Sequence, residues 1–473
     1  MSGPVSQASP NSITILKSLK LDGRILLPAD EGWAEASTTW NTMADRQPAA
    51  IIQAGSANDV ATGIEVARAH RIPIAIRGAG RNLAGDATIA DGLVIDVGRM
   101  NDVGVNPGTR IVTVEGGASI GDLDRGTMGH RTAVPAGMAT GTGVAGLTLG
   151  GGIGRLVRPY GLSLDNLLDA YLVTATGEQV HASHQDNSEL FWGLRGAGAN
   201  FGIVTRLEFQ GVPLGPKVYA GAAWFRADRW RDALRFYFEW APSVPDELTT
   251  ITSFITPLDD PEAPHELQGQ SVLSVAWTWA GRDMTVGEDA VRDLFGTDPD
   301  HIIAGATPWL DLQSALDPYF PEGSRAYFKS HFVDDFADEA IDALVAHAAK
   351  RRSPIAGIDI HQLGGAFGRV DEDATAFGNR DARYLLNIRG VWTDTTQDAV
   401  HIAWVRDLWD TMEPHARGGQ FATLAGPEEA GDARSQARMV YPPATWDRLV
   451  SLKDEWDPGN VFRPGRNIPP SRL

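Results

Sequence analysis

Two glycine-dense segments are the residues of this sequence best suited to hold a ligand. The first, RGAGRNLAG (Arg77–Gly85), follows directly on an apolar run ending at Ile76. The second runs from Gly137 to Gly154, with further glycines at 141, 143, 146, 150, 151 and 152. Glycine at this density weakens regular structure, so the backbone must be bare for another reason. The usual reason is close approach of successive N–H groups to an anion, most often a pyrophosphate. A run of tight turns explains one such loop; two in the same half of the chain favour a ligand.

Gly141-x-Gly143-x-x-Gly146, with Asp165 about 20 residues on, imitates the dinucleotide fingerprint of a Rossmann fold. The context does not fit. Pro135 stands where the parallel strand should be, and Gly150–Gly152 would break the required helix. The sequence contains no G-x-x-x-x-G-K-[ST] and no H-E-x-x-H. His181 and His184 fall on a hairpin and read as solvated, so no metal site is expected. With no cysteine there is no disulfide, thiolate metal site or cysteine nucleophile.

The elements that must position these loops read as follows. AIIQ (Ala50–Gln53) is a short buried strand. Ser56 and Asp59 form a capping box before a helix carrying Val60, Ile64 and Ala67, and IPIAIRG (Ile72–Gly78) is the next strand. Strand, helix, strand predicts a βαβ unit with parallel pairing. Strands at Gly92–Val97 and Arg110–Gly117, a hairpin turning at Thr176–Glu178, a helix at Ser188–Leu194 and a strand at Phe201–Phe209 complete this half. The Gly211–Pro216 stretch marks a domain boundary. Beyond it, alternating strands start at Val218, Leu248, Ser271, Ile358 and Tyr384. Helices lie near Arg229–Trp240, Val286–Phe295, Phe336–Ala349 and Gln397–Met412. That alternation predicts a mostly antiparallel sheet covered by helices on one face. No internal repeat is present.

Composition narrows the function classes. The 473 residues are 43% hydrophobic, enough for two or three domains with large cores. The 60 acidic against 41 basic residues give a net charge of −19, which disfavours nucleic acid or an anionic membrane as partner. The N-terminus lacks the basic and apolar regions of a signal peptide, and no apolar stretch of ~18 residues occurs, so a cytoplasmic protein is expected.

Taken together, RGAGRNLAG, the block VPAGMATGTGVAGLTLGGGIGRLVRPYGLSLDNLL (Val134–Leu168), SELFWGLRGAGANFGIVT (Ser188–Thr205) and KDEWDPGNVFRPGRNI (Lys453–Ile468) carry a resemblance. They resemble berberine-bridge-enzyme-like FAD-linked oxidoreductases of the vanillyl-alcohol-oxidase/PCMH superfamily, most closely the bacterial 6-hydroxynicotine-oxidase-like branch. The resemblance implies an α+β fold with a PCMH-type FAD-binding domain of two lobes. It implies a lead-in over 1–44, the FAD domain over 45–212, a substrate domain over 213–424, and a segment over 425–473 that returns to the FAD domain. It implies that Arg77, Gly78, Ala79, Gly80, Arg81 and Asn82 wrap the pyrophosphate, with Ile76 and Gly85 also binding the cofactor. Pro135, Gly137, Ala139, Thr140, Gly141, Gly143, Val144, Gly146, Gly152, Gly154 and Gly161 would line the ADP and flavin path. Ile203 would touch adenine, and Asn467 would close on the ring.

The sequence departs from the family's pattern at three places. The family's first loop reads RGGGH, and that histidine bonds the flavin 8α-methyl; Arg81 stands there, and a protonated guanidinium cannot attack. Other family members add a second tether from a cysteine at the position of Ala139, which this branch generally lacks. The family's Tyr-x-Asn becomes Phe421-Ala-Thr423, and its His before Arg380 becomes Asn379. FAD is therefore expected without a covalent bond. Tyr160, Tyr384 and Lys329, with Tyr327 beside it, remain for proton handling. Two readings stay open. In one, a C–H beside O or N of a small substrate is oxidised, with dioxygen or another acceptor taking the electrons. In the other, a natural-product cyclase or lyase keeps FAD as a structural floor. A monomer or homodimer is expected.

Overall fold

The computed structural model describes residues 15–44, 46–258, 263–424, 426 and 437–472. The N-terminal residues read for a signal peptide lie outside these, as do 427–436 of the last segment.

AIIQ forms β2 (Ala50–Gln53), joined antiparallel by β1 (Arg24–Leu26). Ser56 caps α1 (Ala57–His70), its side chain accepting from the Asp59 N–H. Asp59 departs from the expected capping box. Its carboxylate accepts instead from the N–H groups of Asp22, Gly23 and Gly55, at 2.9, 2.7 and 2.8 Å, and so ties down the preceding segment. β3 (Ile74–Arg77) and β4 (Leu93–Asp96) complete a sheet in the order β1-β2-β4-β3. The pairing is parallel as the βαβ pattern predicts, but β4 lies between β2 and β3, which therefore never touch.

A second sheet is antiparallel, in the order β5-β6-β10-β8-β9. Its strands are β5 (Val103–Val105), β6 (Ile111–Glu115), β8 (Leu167–Thr174), β9 (Gln179–Ser183) and β10 (Gly202–Gln210). Its β8–β9 hairpin turns at Gly177 with φ +86°, a left-handed position that suits glycine. Helix α2 (Ile120–Met128), capped reciprocally by Ser119 and Asp122, was not apparent from periodicity. A two-stranded ribbon of β7 (Thr132–Ala133) and β11 (Val212–Pro213) leads out of this half.

The third sheet is antiparallel with the order β15-β12-β14-β13-β17-β18-β16. It comprises β12 (Lys217–Phe225), β13 (Leu248–Ile255), β14 (Val272–Trp279), β15 (His301–Pro308), β16 (Arg325–Val333), β17 (Gly357–Gln362) and β18 (Tyr384–Trp392). One face buries Tyr219, Phe225, Leu273, Trp277, Ile358, Ile360, Leu386 and Ile388 against helices at Trp230–Trp240, Asp338–Ala348 and Asp398–Met412. Strand parity then sends the alternate residues to the other, inner face. The closing helix, Pro443–Trp456, packs Trp446, Leu449 and Leu452 into the same cluster as Phe191 and Phe201 of the first half, and Ile468 of the tail joins them. Among the described residues no helix is long and apolar enough to cross a membrane.

Candidate functional site

The first glycine loop leaves β3 with its backbone unsatisfied. Among the described residues, the N–H groups of Gly78, Ala79, Gly80, Arg81 and Asn82 donate to no protein acceptor. Five successive unpaired donors in a partly buried loop are available to an anion. Gly80 adopts φ +73° and its carbonyl accepts from the Trp40 N–H at 3.3 Å. Arg77 braces the loop by bonding the Ala36 carbonyl and lying 3.9 Å from Asp96. At the loop's far end Gly85, at φ +79°, has Ala44 where a Cβ would go.

The second segment meets the first face to face. A Cβ on Gly143 would stand 3.2 Å from Ala79 N, and one on Gly141 would stand 2.9 Å from Arg81 Nη2. A Cβ on Gly146, by contrast, would meet nothing within 4 Å. The segment contains one short helix, Val144–Leu149, and otherwise turns. Gly154 abuts the Ala136 carbonyl and Gly152, at φ +86°, abuts Ser163; neither admits a side chain. Gly161, at φ +80°, sits against the Asp165 carboxylate. Thr140 donates its N–H and hydroxyl to Asp317, and Gln313 Nε2 donates to the Gly137 carbonyl at 3.1 Å. The segment is thereby tied to the connection between β15 and β16. Pro135, Ala139 and Val144 lie along the same path, Pro135 and Val144 buried and Ala139 half-buried.

Arg81 spans the gap between the loops. Its guanidinium lies 5.3 Å from the Trp40 ring centroid and 3.5 Å from the exposed Glu322 carboxylate, while Nη1 has no partner. Burial lowers its pKa, and Glu322 and Asp317 oppose that shift. On the C-terminal side, Gly465 packs on the Asp86 carboxylate, and the buried Asn467 Oδ1 has no partner. Ile203 is buried in β10 with Val173, Ala175 and Phe462.

The site residues expected in the substrate half divide by sheet face. Tyr384 points to the helix-covered face, where it packs on Tyr237, Phe238 and Phe336 and burial raises its pKa. Lys329 shares that face, its Nζ 3.8 Å from the Trp409 ring centroid, and Tyr327 lies beside it in the same core. The structure therefore does not bring Tyr384, Lys329 or Tyr327 to the glycine loops. The reason is parity: each stands one residue out of step with the inner face. Tyr160 is half-buried at the edge of a cluster with Leu156, Val218 and Trp309, and burial and Glu247 raise its pKa. Phe421 does reach the second segment. Its Cζ lies 2.8 Å from a Cβ on Gly151, within an apolar wall that includes Phe377 and Phe332. Asn379, at φ +62°, lies against Gly419, where a Cβ would stand 2.6 Å from its Nδ2, and the neighbouring Arg380 forms a bidentate pair with Asp165 at 2.8 and 2.9 Å.

The inner face carries a polar group that sequence reading did not single out. Across adjacent strands, Ser274, Ser253, Asp359, Asn387 and Ser330 form one cross-strand row, and Ile251, His361 and Leu385 form the next. Arg389 Nε bonds Asp359 Oδ2 at 3.1 Å and its Nη1 bonds the Ile355 carbonyl at 2.7 Å. Burial would raise the Asp359 pKa, but the Arg389 charge keeps it low. His361 has its pKa pushed down to about 4, first by burial, opposed by Asp359 and reinforced by Arg389 and Arg155. It is therefore neutral near pH 7, and its low pKa makes it a weak proton acceptor. The signal was present in IDIHQ: Asp359 and His361 are two apart, opposite in phase to Ile358 and Ile360. On the same face Ala222, Ala276, Ser253, Ile255 and Asp359 remain half-buried, as do residues 138–143.

These features fit FAD. The five free N–H groups suit the pyrophosphate, the facing glycines leave room between the loops for the Arg81 guanidinium, and Arg81 Nη1 and Asn467 Oδ1 offer unpaired polar atoms.

Comparison with known proteins agrees. Residues 48–183 match the family model described as FAD binding domain. The chain is 28% identical to an uncharacterised FAD-linked oxidoreductase of Bacillus subtilis over 97% of this chain and 99% of that protein. It is 28% identical to (R)-6-hydroxynicotine oxidase of Paenarthrobacter nicotinovorans over 96% and 98%. Among solved structures, BBE-like 1 of Physcomitrella patens superposes with a TM-score of 0.84 at 20% identity, covering 97% of this chain and 98% of that one. Glucooligosaccharide oxidase of Acremonium strictum, whose FAD is described as 6-S-cysteinyl and 8α-N1-histidyl, superposes at 0.82 with 21% identity over 95% and 97%.

Proposed function

We propose that this chain, an FAD-linked oxidoreductase with an FAD binding domain at 48–183 and a berberine-bridge-enzyme-like fold, holds its FAD without a covalent bond and oxidises a small organic substrate. The observation that carries this reading is Arg81. It fills the loop position of the linking histidine with a group that cannot be alkylated, yet spans two intact glycine loops. In this reading residues 45–212 and 425–473 make the FAD domain, and 213–424 supply the substrate roof.

FAD supplies a two-electron hydride acceptor, which dioxygen or another oxidant then restores. The chain's own residues do the rest. Gly78–Asn82 hold the pyrophosphate through their N–H groups, and Arg81 adds charge beside it. The half-buried strip of Ala222, Ala276, Ser253 and Asp359 gives the substrate a place against the inner face. His361, neutral near pH 7, takes the proton of the substrate O–H or N–H as the adjacent C–H leaves as hydride. The product is then a carbonyl or an imine. Phe421 contributes shape only, since it has no titratable group.

The experiment is anaerobic mixing of the yellow holoprotein with candidate alcohols, amines and reducing sugars. Substrate oxidation bleaches the visible flavin band before air is admitted. Product formation with the band intact would instead establish the non-redox cyclase or lyase reading.

A further inference from the structure

Arg155 is a buried guanidinium without a counter-charge. It is 6% exposed, Nη2 donates to the Leu312 carbonyl at 3.1 Å, and Nε has no partner. Among the described residues no carboxylate lies within ion-pair distance of it. Burial alone lowers its pKa, to about 10. Arg195 is also buried without an ion pair, but its guanidinium lies 4.4 Å from the Phe191 ring centroid and feels the Asp165 charge. Other interior arginines have closer partners. Arg380 has Asp165, Arg389 has Asp359, and Arg158 bonds the carbonyls of Leu248, Leu363 and Val244. Burying an unpaired charge costs several kcal/mol, so a fold that keeps one has a use for it.

The placement of Arg155 suggests that use. It follows Gly154, which is pinned against the Ala136 carbonyl of the second glycine segment. It reaches to Leu312, in the short helix next to Gln313, and its charge is felt by His361 on the inner face of the third sheet. It thus ties the end of the glycine segment to Leu312, within electrostatic reach of His361. The FAD phosphates are accounted for elsewhere, by Gly78–Asn82 and Arg81.

We propose that Arg155 binds an anionic group of the substrate, a carboxylate, and orients the substrate beside His361. The inference rests on the FAD-linked reading above and narrows its substrate to an organic acid that bears the oxidisable C–H. A planar guanidinium takes a carboxylate through two parallel N–H bonds, which fixes direction as well as position. A neutral alcohol or amine would leave Arg155 as unpaired as it is now.

The test uses the holoprotein with formate, acetate and benzoate, each compared with its uncharged amide at fixed ionic strength. Binding is followed through the flavin visible spectrum and thermal unfolding. At least one of the acids is expected to bind saturably and raise the Tm, and its amide is not. Arg155→Met should weaken that acid at least tenfold and hold the FAD dissociation constant within twofold. Arg155→Lys, which keeps the charge without the fork, should recover part of the loss. Arg155→Met should also unfold no lower than the parent, because it removes an unpaired buried charge. Three outcomes would overturn the proposal: no acid binds, Arg155→Met binds acids as the parent does, or that variant loses FAD with acid binding unchanged. A chain that holds no FAD at all would contradict the function reading instead, and the Tm shift would still report on Arg155.

Discussion

Arg81 and Gly141 are in direct apposition across the two glycine loops, the guanidinium occupying the place where a side chain at 141 would begin. The bare backbone at 141 is therefore there for the arginine as much as for a ligand. Arg81→Met is expected to raise the FAD dissociation constant by tenfold or more, given about 1.5–3 kcal/mol for a charge-assisted hydrogen bond. Gly141→Ala should do the same by displacing Arg81. Fluorescence titration of the apoprotein with FAD measures both.

Arg81→His is expected to restore covalent flavin in a fraction of molecules, because the rest of the loop keeps its shape. Fluorescent flavin on a denaturing gel reports this directly. No covalent flavin at all would show that the neighbouring groups also differ.

Tyr384→Phe and Lys329→Met should leave kcat and its pH profile unchanged, since both side chains lie on the helix-covered face. Lys329→Met should still cost stability, about 1–2 kcal/mol for a desolvated cation–π contact with Trp409. A tenfold fall in kcat in either variant would contradict the assignment of faces.

That contrast shows what could be read from the sequence. The glycine loops were legible because φ above zero and close backbone approach leave a residue-type signature, as at Gly80, Gly141 and Gly152. Strand identity in the substrate half was legible too, as for Tyr384–Trp392. Which face each residue takes was not, because both faces of this sheet are covered and β18 is buried at every position. Without a polar face there is no alternation to read, and Tyr384 and Arg389 look equally placed. β15 escaped notice for a different reason. It is an edge strand whose HIIAGATP sequence has small residues and little pattern.

The Asp165–Arg380 pair clamps the turn that follows the second glycine segment to the substrate half, and both side chains are almost fully buried. Arg380→Met should destabilise the protein by about 3–5 kcal/mol by leaving a carboxylate unpaired. The urea midpoint measures this. Replacing both residues with apolar ones should recover much of the loss.

His361 makes stability depend on pH with a definite sign. Its pKa in the folded protein is about 4, below the ordinary value of 6.5, so the unfolded chain binds the proton more tightly. Stability from this group is complete above about pH 6.5 and is lost as pH falls from there towards 4. At 1.36 kcal/mol per unit the span is about 3 kcal/mol. His361→Gln should flatten the unfolding free energy across that window, and should lower kcat at neutral pH at least tenfold if His361 accepts the substrate proton. A variant with the parent's pH slope would remove His361 as its source.

The central claim, an FAD held between two glycine loops with no bond to the chain, is tested most directly by where the flavin goes on denaturation. The purified yellow protein is precipitated with acid, and flavin is measured in supernatant and pellet. The account predicts FAD quantitatively in the supernatant and a colourless pellet whose mass is that of the bare chain. Flavin retained in the pellet, with the chain heavier by one FAD, would contradict it.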